Sequence, residues 1–119
     1  MAEGFANYYG KHLLEASSAG SHPAGIIMPE TIEVMKEKGV DISRQSSKGL
    51  PEVRMDWMDW VVVLEVSLAR SIRLPSRHTR QLSWFVPDPI GRPLAHYRAV
   101  RDEIQLKVLD FIDMLRKEA

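Results

Sequence analysis

Apolar positions along the chain follow a helical spacing in three places. The first pattern predicts a short helix over residues 1–9 that ends at Gly10. The second predicts a helix that begins at Pro29, passes through Lys36 and stops at Gly39. The third is an amphipathic helix over about residues 94–117, with an apolar stripe of Tyr97, Val100, Ile104, Val108, Phe111 and Leu115.

Apolar and β-branched runs predict strands over residues 13–18, 60–66 and 81–86. The run that starts at Trp60 is continuous rather than alternating, which is typical of a strand buried on both faces of a parallel sheet. Residues 40–43 are expected to be extended, 51–58 to form a short helix and 67–79 a loop. This order of elements predicts an α/β sandwich in a single domain over residues 1–119.

Composition narrows the classes of partner and of chemistry. Sixteen basic residues balance sixteen acidic ones, so nothing in the net charge favours nucleic acid or an anionic membrane as a partner. No apolar run approaches the ~20 residues of a membrane span, and no secretory signal is visible. The sequence has no cysteine, which excludes disulfides, thiolate metal sites and a cysteine nucleophile among these residues. A cytoplasmic protein is expected.

Five short motifs in order along the chain carry a resemblance to a known superfamily. They are Met1-Ala2-Glu3-Gly4-Phe5, Ser18-Ala19-Gly20 followed by Pro23, Gly39-Val40-Asp41-Ile42-Ser43, Trp84 with Asp88-Pro89, and the segment from Tyr97 to Ile104. Together they resemble the low-molecular-weight protein tyrosine phosphatases and thioredoxin-coupled arsenate reductases. The resemblance implies a phosphotyrosine phosphatase I-like fold, a three-layer sandwich around a short, mostly parallel sheet.

The resemblance also implies a division of catalytic roles. In the family, a strand and a cysteine-arginine phosphate loop precede the segment that Met1 begins here. The loop thiolate attacks the oxyanion, and an aspartic acid protonates the leaving group. Asp88 matches that general acid. The sequence is therefore expected to be N-terminally truncated, to lack the first, central strand of the sheet, and to be catalytically incompetent as written.

Three functions stay open at this point. With an upstream loop, the protein would hydrolyse phosphomonoesters through a phosphocysteine. Arsenate reduction is the alternative, disfavoured because residues 64–73 lack the further cysteines of that relay. The third reading is a non-catalytic domain that binds a partner or dimerises. Without the central strand, the sheet would have two unpaired strand edges. Three arrangements would cover them: direct pairing of residues 13–18 with 60–66, a homodimer, or a longer natural chain.

Two residue clusters and the histidines complete the candidates. A basic cluster with His78 is either a solvated loop face or a site for an oxyanion or phosphoprotein, and its anion-binding candidates are Arg70, Arg73, Arg77 and Arg80. Trp57, Met58 and Trp60 either pack in the core or form an exposed patch for a partner. The four histidines show no ligand spacing, so no metal and no cofactor are expected.

Overall fold

The computed structural model describes residues 1–18, 27–45, 58–64 and 79–118. The predicted α/β class and the parallel sheet are confirmed within these ranges. The short helix expected at 51–58 and most of the loop at 67–79 lie outside them. The elements in chain order are helix α1 (Ala2–Tyr9), helix α2 (Pro29–Lys36), strand β1 (Trp60–Val63), strand β2 (Arg80–Ser83) and helix α3 (Leu94–Glu118).

The two short helices end where glycine was expected to end them. The Gly10 N–H donates to the Ala6 carbonyl at 2.8 Å and closes the last turn of α1. Gly39 has a φ of +76°, a left-handed conformation that glycine adopts without steric cost. This conformation lets the Val40 N–H return to the Met35 carbonyl at 3.1 Å, which satisfies an orphan carbonyl at the end of α2.

Strands β1 and β2 pair in parallel, with Trp60 opposite Arg80 and Val63 opposite Ser83. The strand predicted over residues 81–86 begins one residue after β2 begins and ends three residues after β2 ends. In the structure, β2 ends at Ser83, and the Trp84 N–H makes a further backbone bond to the Val63 carbonyl at 2.8 Å. Beyond that bond the described part of β1 offers no further partner, and the chain turns toward Pro87.

The strand predicted over residues 13–18 is wrong in the structure. Residues 10–13 form turns, and residues 14–18 have no regular secondary structure. Side chains of α1 take the backbone groups that a neighbouring strand would pair, because Asn7 bonds both the N–H and the carbonyl of Ala16. Direct pairing of this segment with residues 60–66 is likewise wrong within the described residues, whose sheet contains only β1 and β2.

Helix α3 supplies most of the hydrophobic core. The predicted stripe is confirmed at Tyr97, Val100, Ile104 and Val108, which are all buried. Nearer the carboxyl end, Ile112 is the buried residue, and Leu115 is only partly covered. Helices α1 and α2 both pack on α3. The residues they and the following segment bring to this cluster are Phe5, Met35, Val40 and Ile42.

Truncation of the α3 stripe should destabilise the protein strongly. Ile104 is 5% exposed, and Ile104→Ala should lower the free energy of unfolding by about 2–5 kcal/mol through lost burial and a residual cavity. Leu106, two residues away on the same helix, is 65% exposed. Leu106→Ala should change that free energy by no more than about 0.5 kcal/mol. Urea denaturation of both variants tests this, and equal losses would contradict the packing described.

Candidate active site

Asp88 lies in the loop that follows the carboxyl end of β2 and precedes α3. Pro87 and Pro89 flank it and fix the backbone φ on both sides. One carboxylate oxygen, Oδ1, accepts a hydrogen bond from the Ile90 N–H at 3.0 Å, which is an Asx turn. The side chain is exposed to solvent. The loop therefore presents the predicted general acid outward at the carboxyl edge of the sheet, in one restrained position.

A concavity of about 360 Å³ surrounds this loop, and Asp88 forms part of its wall. Arg92, His96 and Glu103 also line it, from the end of the loop and the first turns of α3. None of these three was predicted to be a site residue, and His96 was considered only as a metal ligand. The sequence does place His96 and Glu103 seven residues apart, a spacing that puts both side chains on one face of a helix. Pro93 predicts that this helix begins just before His96.

Tyr97, in the first turn of α3, is buried. Its side chain is 2% exposed, and this burial raises the pKa of the hydroxyl above its usual value, with the negative charges of Glu30 and Asp88 adding to the effect. The hydroxyl therefore stays protonated well into the alkaline range.

A network of charged side chains fixes the start of α3 against the end of α2. Arg98 donates to both carboxylate oxygens of Glu37, at 2.8 and 3.1 Å. Arg101 is 7% exposed and donates to Glu37, to the Val34 carbonyl at 3.0 Å and to Asp102 at 2.9 Å. The Arg98 hydrogen bond, with help from Arg101, lowers the pKa of Glu37 to about 2.

The network matters for the site because it holds the helix that carries His96 and Glu103. Arg101 would be a costly buried charge without its partners, and here each of its three side-chain nitrogens contacts a carboxylate or a carbonyl oxygen. The first turns of α3 are therefore a rigid wall of the Asp88 concavity.

Arg80, one of the anion-binding candidates, lies far from Asp88. It opens β2, whereas Asp88 follows the other end of that strand. Its guanidinium bonds Glu118 at 3.1 Å and lies 5.1 Å from the centre of the Trp60 ring. Helix α3 has 25 residues and spans roughly 37 Å, and Arg80 contacts its last turn while Asp88 precedes its first. The remaining candidates, Arg70, Arg73 and Arg77 with His78, lie outside the described residues.

The aromatic residues near β1 pack rather than stand free. The Trp60 ring meets Phe111 of α3 edge-on with centroids 5.3 Å apart, and Trp84 meets the same ring at 6.1 Å. Met58 is partly buried, and its carbonyl accepts a hydrogen bond from the Thr79 hydroxyl at 3.0 Å. Trp57 lies outside the described residues. For Trp60, packing is the role that the contacts support.

A hydrogen-bonded pair of a serine and a carboxylate lies at the start of α1. Glu3, in the first turn, accepts hydrogen bonds from the Ser18 N–H at 2.6 Å and the Ser18 hydroxyl at 2.9 Å. A carboxylate is a weak base for a serine hydroxyl. The contact ties residues 14–18 to α1 and does not form a nucleophile.

Two further observations concern the described residues alone. They bring together no group of three or more histidine, aspartate and glutamate side chains that could hold a metal ion. None of their helices is long and apolar enough to cross a membrane.

Comparison with known proteins gives a consistent result. The sequence model of the family described as low molecular weight phosphotyrosine protein phosphatase matches residues 1–119. Among curated proteins, arsenate reductase 2 of Staphylococcus haemolyticus is 31% identical over 115 residues, which cover 93% of this chain and 84% of that protein.

Solved structures of two kinds share the fold. An arsenate reductase in its oxidised state superposes with a TM-score of 0.85 at 28% identity, over 96% of this chain and 86% of that one. The low molecular weight protein tyrosine phosphatase from T. tengcongensis superposes with a TM-score of 0.79 at 29% identity, over 99% of this chain and 88% of that one.

The depressed pKa of Glu37 predicts a specific response of stability to acid. A carboxyl that is more acidic in the folded state stabilises the fold above its ordinary pKa of 4.5, and this contribution is lost as the pH falls toward about 2. Glu37→Gln should lower the free energy of unfolding at pH 7 and flatten its decline between pH 4.5 and 2. Urea denaturation across pH measures this. Glu15→Gln, at an exposed position, is the control, and parallel curves for Glu37→Gln and the native protein would refute the assignment.

Proposed function

The chain belongs to the low molecular weight phosphotyrosine protein phosphatase family, and on that premise we propose that it carries the general-acid half of a phosphatase site and no nucleophile. In this proposal its 119 residues cannot perform thiol chemistry by themselves. When a cysteine-arginine phosphate loop is supplied, the reaction that they serve is phosphomonoester hydrolysis, with Asp88 as the acid.

The observation that carries the first part is the complete absence of cysteine. The family reaction needs a thiolate that attacks the phosphorus or arsenic atom and forms a covalent intermediate. The Ser18 hydroxyl does not replace it, because the Glu3 carboxylate that it contacts is a weak base for an alcohol. Binding of an oxyanion would not be enough for turnover.

The position of Asp88 supports the second part. A general acid must be exposed to the substrate, held in place and able to reach the leaving oxygen. Asp88 is exposed, the Ile90 N–H fixes one of its oxygens, and the other oxygen remains available to carry a proton. Arg92 lines the same concavity and adds a positive charge where an anionic substrate would approach, although the carboxylate of Glu103 lines it too.

Arsenate reduction is the second candidate, and the similarity to arsenate reductases favours it. Arsenate reductases occur among both the curated proteins and the solved structures that resemble this chain. A thioredoxin-coupled relay passes electrons through further cysteines after the first one reacts. This chain has none to contribute, so supplying the nucleophilic loop alone would restore hydrolysis but not that relay.

A non-catalytic role in binding a partner remains the alternative from a different class. The missing thiol supports it directly, since a domain that only binds has no need of a nucleophile. It predicts that Asp88 contributes to turnover in no form of the protein, which separates it from the proposal above.

The purified 119-residue chain should show no phosphatase activity above buffer. p-Nitrophenyl phosphate hydrolysis and thioredoxin-coupled arsenate reduction should both stay at background, because neither reaction has a thiolate to start it. Fold integrity is checked by circular dichroism on the same sample. Turnover that survives gel filtration and ion exchange at constant specific activity would disprove the proposal.

Supplying the cysteine-arginine loop should make the contribution of Asp88 to catalysis measurable. A fusion of a relative's first strand and cysteine-arginine loop ahead of Met1 should hydrolyse phenyl phosphate, and Asp88→Asn in that fusion should lower kcat by about 10²–10⁴-fold. The loss should be smaller with p-nitrophenyl phosphate, whose leaving group needs less protonation.

Two controls make the fusion experiment decisive. Asp110→Asn, at an exposed position on α3, should leave kcat unchanged, and replacing the loop cysteine by serine should abolish turnover. An active fusion in which Asp88→Asn costs nothing with either substrate would remove Asp88 from the mechanism. Thioredoxin-coupled arsenate reduction by the fusion would favour the second candidate.

A further inference from the structure

Two successive turns hold Arg92 close to Asp88. Asp88 Oδ1 accepts a hydrogen bond from the Ile90 N–H at 3.0 Å, and the Arg92 N–H donates to the Pro89 carbonyl at 2.9 Å. The second bond closes a four-residue β-turn, whose first and last Cα atoms lie within about 7 Å of each other. Gly91 stands at the third position of this turn with a φ of +79°, which glycine adopts without steric cost. The backbone that carries Arg92 is therefore fixed relative to the candidate acid.

The guanidinium of Arg92 has no partner among the described residues. Arg98 and Arg101, by contrast, both pair with Glu37. Arg92 is exposed, makes no side-chain hydrogen bond or ion pair within the described ranges, and lines the same concavity as Asp88. Since its charge is not used in a contact of the described fold, it is available to a ligand.

The charges of the concavity are separated along its length. Glu103 is the second carboxylate that lines it, and it lies nine residues after Leu94, which is about 14 Å along the axis of α3. Arg92 precedes the first turn of that helix. The loop end of the concavity therefore carries a cation together with Asp88, and the opposing carboxylate of Glu103 lies toward the helix end.

We propose that Arg92 determines substrate specificity, and that the preferred substrates are phosphotyrosine segments with an acidic residue next to the phosphorylated tyrosine. The inference rests on the proposed function, because it needs a leaving group placed at Asp88. A general acid acts within about 3 Å of the leaving oxygen, so the tyrosine ring lies against the loop that carries Asp88. The cysteine-arginine loop takes the phosphate, which leaves Arg92 for a second anionic group. A neighbouring carboxylate of the peptide pairs with its guanidinium through two parallel hydrogen bonds.

Peptide binding to the 119-residue chain tests this without any turnover. The probes are the unphosphorylated leaving groups acetyl-Asp-Tyr-Asp-amide and acetyl-Asn-Tyr-Asn-amide, which have nearly the same shape and differ in charge. Titration at low ionic strength, followed by the NMR signals of the Gly91 and Arg92 amides, gives a dissociation constant for each peptide. The aspartate peptide should bind about two- to fivefold more tightly, the range expected for one solvent-exposed charge pair.

Three variants assign the preference to one side chain. Arg92→Gln removes the charge at an exposed position and should bring the two dissociation constants together. Glu103→Gln removes the opposing carboxylate from the concavity and should increase the preference for the aspartate peptide. Arg116→Gln, at an exposed position in the last turn of α3, is the matched control and should leave the preference unchanged.

The phosphorylated forms of the same peptides connect binding with turnover. In the fusion that carries a cysteine-arginine loop, the aspartate phosphopeptide should have a kcat/KM about two- to fivefold higher than the asparagine phosphopeptide, through a lower KM. Arg92→Gln should remove this ratio by raising KM for the aspartate substrate. Asp88→Asn should lower kcat for both substrates alike and keep the ratio. Failure of Asp88 as the acid and failure of Arg92 as the specificity residue therefore give different results.

Results of four kinds would overturn the inference. Equal affinity of the two peptides, or tighter binding of the asparagine peptide, would mean that Arg92 does not select a carboxylate. A preference that survives Arg92→Gln would assign it to another group. A preference lost equally in Arg116→Gln would reduce it to the overall charge of the chain. Unmoved signals of the Gly91 and Arg92 amides at millimolar peptide would mean that neither peptide binds beside this loop.

Discussion

The fold depends on one apolar stripe along α3. Helices α1 and α2 both pack on it, and its buried residues run through almost the full length of the helix, from Tyr97 to Ile112. The two strands contact the same helix through Phe111, which meets Trp60 and Trp84 edge-on. Since no other described element contacts all of the rest, α3 sets the relative positions of everything that could form a site.

The length of α3 separates the two kinds of candidate residue. Asp88 precedes its first turn, where the Arg98, Arg101 and Glu37 network holds the helix against α2. Arg80 contacts its last turn, where it pairs with Glu118 and covers Trp60. A charge at the far end cannot contribute to binding an anion beside Asp88, because screening over such a distance is nearly complete at physiological salt. Of the two described candidates, Asp88 therefore lies beyond the carboxyl end of β2 and Arg80 at its amino end.

Membership of a thiol-dependent family and a sequence without cysteine together define the functional question. In the proposed reaction a general acid without a nucleophile would assist nothing, yet the loop that carries Asp88 is restrained, with a proline on either side and an Asx turn to Ile90. Retention of that geometry is consistent with a protein whose nucleophile is supplied separately. It is equally consistent with a domain that keeps the fold for binding, and the two differ in whether Asp88 ever changes a rate.

The sequence alone determined the family motifs, the α/β class, the ends of α1, α2 and α3, and the apolar stripe, because these follow from local spacing and from glycine and proline chemistry. It failed for residues 13–18, whose strand-like pattern has no paired neighbour and whose backbone is instead bonded by Asn7 and Glu3. It also joined Arg80 to a basic cluster whose other members lie outside the described residues. Only the tertiary structure placed Arg80 away from Asp88 and brought Arg92 and His96 beside it, because contacts between residues distant in sequence depend on how the elements pack.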